Sequence, residues 1–85
     1  MTEKKLIGKI THYFPKIGVA VIELSDDIKV GDKIRVEGAT TGFEQVVESM
    51  EIENNKVETA AVGQAIGLKA REKVRPHDSV YKIME

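Results

Sequence analysis

Val19-Ala-Val-Ile-Glu-Leu24 is the stretch whose reading decides the fold class. Five of its six side chains are apolar, and Val19, Val21 and Ile22 are β-branched. β-Branched side chains lose rotamer freedom in a helix and fit a pleated surface. A continuous apolar run this short matches a strand covered on both faces, or nearly so. The same bias runs through the chain, with 10 Val and 9 Ile against 3 Leu. A small helical bundle would favour Leu and Ala, so the chain reads as mostly β.

Working outward, Leu6 to Tyr13 reads as a strand, with Leu6, Gly8, Ile10 and His12 on one face and Ile7, Lys9, Thr11 and Tyr13 on the other. Pro15 and Gly18 punctuate a turn after it. Val30-Gly31-Asp32 reads as a tight turn. Lys33 to Glu37 alternates, Ile34 and Val36 inward and Lys33, Arg35 and Glu37 outward. Phe43, Val46, Val47 and Met50 recur at helical spacing, so the pattern favours a short helix there; read as a strand, the stretch needs a bulge near 45–47. Asn54-Asn55-Lys56 reads as a turn, Val57 to Gly63 as a loop with one helical turn at Ala60-Ala61. Ala65 to Arg71 alternates again, with Ile66, Leu68 and Ala70 inward. Arg75 to Asp78 is a turn and Val80 to Met84 a closing strand. Short strands between glycine and aspartate turns imply a closed barrel or a small sandwich. Gly18, Gly31, Asp32, Gly63 and Gly67 are the expected turn and close-approach positions.

Eighty-five residues imply one domain, 1–85, with its core over about 6–84. The absence of Cys excludes disulfides and thiolate chemistry. No apolar run approaches the roughly 20 residues of a membrane span, and Met1-Thr-Glu-Lys-Lys opens no signal-like segment. A cytoplasmic location is the resulting expectation. Thirteen basic against 14 acidic residues exclude binding by bulk positive charge.

No nucleophile–base pair, metal-ligand spacing or phosphate loop is legible, so the expectation is a non-enzyme without cofactor or metal. Asp26-Asp27 reads as a solvated turn. One positive feature remains. Lys69, Arg71, Lys73 and Arg75 recur at every second residue, and an extended segment would set them on one face, about 6.6 Å apart. Two roles fit: a basic ladder for a nucleic-acid backbone, or a charged outer face that blocks edge pairing. Glu44, Glu48, Glu51, Glu53 and Glu58 gather mid-chain, so the two charge groups read as opposed patches. Tyr13 and Phe14 either stack a base or close one end of the core.

Val30-Gly-Asp-Lys-Ile-Arg-Val-Glu-Gly38, Ser49-Met-Glu-Ile52, Val57-Glu-Thr-Ala-Ala-Val-Gly-Gln-Ala-Ile-Gly-Leu-Lys69 and Pro15-Lys-Ile-Gly18 together resemble segments of the second domain of elongation factor Tu and related translational GTPases. Thr11 to Gly18 and Phe43 to Met50 are similar to two narrower groups: stand-alone translation elongation factor-like proteins, and the C-terminal barrel of collagenase-like peptidases, some implicated in tRNA hydroxylation. With its own Met1 and no peptidase domain, the chain is most similar to the stand-alone form. The resemblance implies a six-stranded antiparallel closed β-barrel with Greek-key connections, and a bulged strand over 43–53. It implies a translation-factor-like module contacting tRNA or ribosomal RNA, with Glu37, Gly38, Ser49, Lys69 and Ala70 at the positions of the family's tRNA-end pocket. No GTPase domain is present, so no GTP binding is expected. The alternative is a protein–protein adaptor docking on a separately encoded peptidase-like or tRNA-modifying enzyme.

Overall fold

The computed structural model describes residues 3–84. These residues form ten strands: β1 (Glu3–Phe14), β2 (Val19–Leu24), β3 (Ile28–Lys29), β4 (Lys33–Glu37), β5 (Gly42–Val46), β6 (Met50–Ile52), β7 (Asn55–Val57), β8 (Thr59–Ala60), β9 (Ala65–Lys69) and β10 (Ser79–Met84). Eight make one antiparallel sheet in the order β5-β4-β10-β1-β2-β9-β6-β7, and β3 and β8 form a separate two-stranded ribbon. The all-β expectation holds. The six-stranded closed barrel does not: there are ten strands, and the sheet keeps two edges, β5 and β7.

β1 organises the sheet because it pairs on both sides, its first half with β10 and its second half with β2. Two register shifts, between Leu6 and Gly8 and between Ile10 and His12, make this possible. A bulge moves following side chains to the other face, so Ile7 and Ile10 are both buried although three residues apart, and Leu6 is exposed. This corrects the simple alternation expected for Leu6–Tyr13. A Cβ on Gly8 would lie 2.6 Å from the Glu23 carbonyl oxygen, so only glycine admits this approach of β2.

One apolar core lies on the inner face. Ile7, Ile22, Ile34, Ile66 and Val80 are wholly buried there, one from each of β1, β2, β4, β9 and β10. Val74 plugs the core from the loop between β9 and β10. That loop, not a strand, carries Arg71, Lys73 and Arg75, so the expected extended ladder ends at Lys69. Burying Val74 turns the chain inward, and Asp78 then caps the turn by accepting from the Arg75 N–H at 2.9 Å. Asp78 leaves no room beside it: a Cβ on Gly38 would lie 1.9 Å from its Oδ1.

Residues 43–53 are neither the helix that spacing favours nor one bulged strand. β5 and β6 lie far apart in the strand order, separated by the break at Val47-Glu48-Ser49. Val47 is buried, and its N–H donates to the Asp32 carbonyl while its carbonyl accepts from Gly31 N–H, both at 2.8 Å. Helical periodicity thus came from two strands meeting at one inward side chain. The next turn is Glu53-Asn54, both at positive φ (50° and 67°), one position earlier than expected. Residues 55–57 form β7, paired with β6, and 59–60 form β8, paired with β3, where a turn over 54–56 and a loop with a helical turn at Ala60-Ala61 were expected. Gly18, Gly31 and Gly63 adopt positive φ, as their turn role requires. Asp32 serves its turn through its side chain, accepting from Lys29 N–H at 3.0 Å. Gly67 lies within β9 and is no turn.

Candidate functional site

Two surfaces concentrate chemistry. The first is the seam where β5 faces the end of β9 without a backbone ladder. Here the Gln45 carboxamide spans the gap, its Nε2 donating to the Lys69 carbonyl at 2.9 Å and its Oε1 accepting from Arg71 N–H at 2.6 Å. A side-chain amide thus takes the place of a neighbouring strand's peptide group. Beside this clasp lies a concavity of about 480 Å³ lined by Gln45, Val46, Glu48, Ser49, Lys69 and Arg71.

Of the seven residues expected on one binding surface, the fold gathers three here: Ser49, Lys69 and Arg71. Lys73 and Arg75 are exposed on the following loop and do not line the concavity. Glu37 and Gly38 lie at the opposite end of β4 from Lys33, the residue that pairs with Val46. Glu37 is held by Lys4 and, at 3.1 Å, by Arg35. The Lys4 ammonium is the main cause that keeps its carboxyl below the usual carboxylate range. The acidic and basic groups are interleaved rather than opposed: Glu48 shares the concavity with Lys69 and Arg71, and Glu44 pairs with Lys33 at 3.3 Å and Arg35 at 3.4 Å. Gln45 and Val46 were not anticipated, and Glu48 was expected only in an acidic patch opposed to the cations it here adjoins. Gln45 lies 24 residues from Lys69 in sequence, and no local pattern links them.

The second surface is the outer face of the β1–β2 hairpin and its neighbours. Tyr13 packs against the core, whereas Phe14 is 45% exposed, so adjacent aromatics serve opposite faces. Ile17, at the hairpin tip, is 61% exposed. These two side chains continue into a groove of about 380 Å³ floored by Val19, Val21 and Gly67 and rimmed by Glu51 and Glu53. The register places His12, Val21, Gly67 and Glu51 in one row across β1, β2, β9 and β6. His12 and Phe14 stack at 4.4 Å between ring centroids, tilted by 57°.

A third cluster is structural. Lys5 Nζ, on β1, and Asp26 Oδ2, just after β2, lie 2.5 Å apart. Hydrogen bonding to Asp27, then to Lys5, holds the Asp26 carboxyl well below the usual carboxylate range. The hydrogen bond to Asp26 raises Lys5 in turn. No group of three or more metal-ligating side chains occurs among the described residues, and no helix there is long and apolar enough to cross a membrane.

No family model matches the chain. It is 44% identical over 80 residues to an uncharacterized protease of Methanocaldococcus jannaschii, matching 93% of this chain and 20% of that protein. It is 42% identical over 82 residues to a collagenase of Porphyromonas gingivalis, matching 94% of this chain and 23% of that protein. The chain therefore spans about a fifth of the length of the curated relatives it matches. Among solved structures, the C-terminal domain of a Geobacillus thermoleovorans protein described as a U32 peptidase superposes with a TM-score of 0.86, covering 92% of this chain and 91% of that one at 23% identity. Its selenomethionine form gives 0.85, covering 89% and 96% at 23% identity. That likeness establishes the fold. These relatives carry protease and collagenase names and no translation-factor or RNA-binding name, which overturns the elongation-factor and RNA-binding reading. Of the three resemblances drawn from sequence, the one to the C-terminal domain of collagenase-like peptidases is the one supported, and the chain is similar to that small all-β domain.

Proposed function

We propose that this chain is a non-catalytic docking module that associates with a peptidase-type protein through the outer face of its β1–β2 hairpin. The observation that carries this reading is the apolar strip of exposed Phe14 and Ile17 and half-buried Val19 and Val21, on a domain that in its relatives accounts for about a fifth of a much longer protease or collagenase. Exposed Phe and Ile at a hairpin tip cost solubility unless a partner covers them. Glu51 and Glu53 at the rim favour a partner surface that is apolar at its centre and basic at its edge. Catalysis belongs to the partner, and this open sheet supplies the contact face.

The test is affinity capture from nuclease-treated native extract with the tagged chain and with Phe14→Ser/Ile17→Asp. Both side chains are exposed, so the fold tolerates the change. A polypeptide related in sequence to peptidases, held by the unsubstituted chain and lost with the variant, supports the proposal. Equal recovery by both, or recovery of other proteins alone, overturns it.

A further inference from the structure

The seam carries a separate site. We infer that its concavity binds the free C-terminal carboxylate of a peptide, with Lys69 and Arg71 bracketing the carboxylate and Val46 receiving an apolar last side chain.

Lys69 ends β9 and Arg71 follows two residues later in the loop, and both line the concavity. Gln45 grips the main chain of both, through the Lys69 carbonyl and the Arg71 N–H, so the two stems start from fixed points. Neither cation is spent elsewhere: the ion pairs among the described residues engage Lys4, Lys5, Lys33, Arg35 and Lys82. Both side chains are exposed and both line the concavity, together with the Ser49 hydroxyl, a further donor. The guanidinium fork suits a planar carboxylate, and an ammonium beside it adds a mobile point charge. Val46, 49% exposed, is the apolar surface in the same wall.

Charge selects among anions. Glu48 lines the wall as well, so two cations and one carboxylate leave a net charge of about one positive unit. A single carboxylate balances that charge. A phosphodiester chain would bring a new charge with every nucleotide, and Lys73 and Arg75 do not extend the site to meet them. The volume of about 480 Å³ holds a terminal residue or two, within the range of small-ligand sites. The site shares no lining residue with the outer groove, so it stands or falls independently of the docking face.

The experiment is a titration of the isotope-labelled chain, followed by amide resonances, with N-acetyl-Ala-Ala-Leu as the free acid and as its C-terminal amide. Inorganic phosphate and a short single-stranded RNA are run in parallel. The expected result is saturable shifts at 45–49 and 69–71 with the acid, at least about tenfold weaker binding of the amide, and loss of both in Lys69→Gln/Arg71→Gln. Ile17→Asp should bind the acid like the unsubstituted chain. If the double substitution perturbs resonances throughout, the acid-to-amide ratio of the unsubstituted chain decides alone. Equal binding of acid and amide, phosphate or RNA binding the seam as tightly as the acid, or no shift there at about 10 mM acid overturns the inference.

Discussion

β9 is met in different ways by β2, which pairs along its whole length, and by β5, which faces its end beyond the short pairing of β6 with Gly67 and Leu68. Along β2 it forms a continuous ladder, with Val19 through Glu23 registered against Lys69 through Ala65. Toward β5 it is met by one carboxamide, that of Gln45. The ladder side covers the core with Ile22 and Ile66 and pairs backbone with backbone along its length. The seam side leaves space, and that space collects cations, a carboxylate and a hydroxyl. Backbone pairing thus supports stability along β2, and side-chain chemistry collects where β9 ends beside β5.

The contrast can be broken most forcefully on the ladder side. Ile22→Ala removes a wholly buried side chain between β1 and β9, and should cost about 2–5 kcal/mol in denaturant unfolding. A loss under about 1 kcal/mol would mean that the ladder alone holds this flank. On the seam side, Gln45→Ala strips two main-chain groups of their partner and should cost less, about 1–3 kcal/mol, because water reaches this half-buried position. Faster amide exchange confined to Arg71 and its neighbours would locate the loss; uniform acceleration would show that the seam is part of the global unit.

A third measurement sharpens the contrast through pH. Asp26 is depressed in the fold, so its contribution is present above its unfolded pKa, about 3.9, and is lost as pH falls toward its folded value. Lys5 is raised, so its contribution is complete below its unfolded value and is lost as pH rises through the folded one. Lys5→Met should flatten both limbs of a pH–stability profile and leave the neutral plateau nearly unchanged, as for other exposed pairs. An unaltered acid limb would assign it to other carboxylates. The smallest effect belongs to Gly67→Ala. A Cβ there would meet Val19 Cγ1 at 3.4 Å, an ordinary contact, and strand glycines cost about 0.5–1 kcal/mol against alanine. Thermal unfolding should move up slightly while partner capture through the outer groove weakens; a marked fall in stability would mean that β9 needs closer approach than the register shows.

Much of the ladder was legible in the residues. The inward set Ile34, Val36, Ile66, Leu68 and Ala70 follows from period-two alternation, and all but the half-buried Ala70 are fully buried. Less could be read of the site. Lys69 and Arg71 were visible as alternate cations, but the same spacing was extended to Lys73 and Arg75, where burial of Val74 bends the chain out of register. Gln45 was invisible because its role depends on a partner 24 residues away.

By itself, the sequence determined whatever depends on neighbouring residues. An excess of β-branched side chains makes strands, and Gly18, Gly31 and Gly63 permit the left-handed turns between them, because local sterics decide both. Only the tertiary structure decided the number and order of strands, the two bulges of β1, and the open flank clasped by Gln45. Those depend on which distant backbones meet, and strand register is set by the core they jointly bury rather than by any one segment.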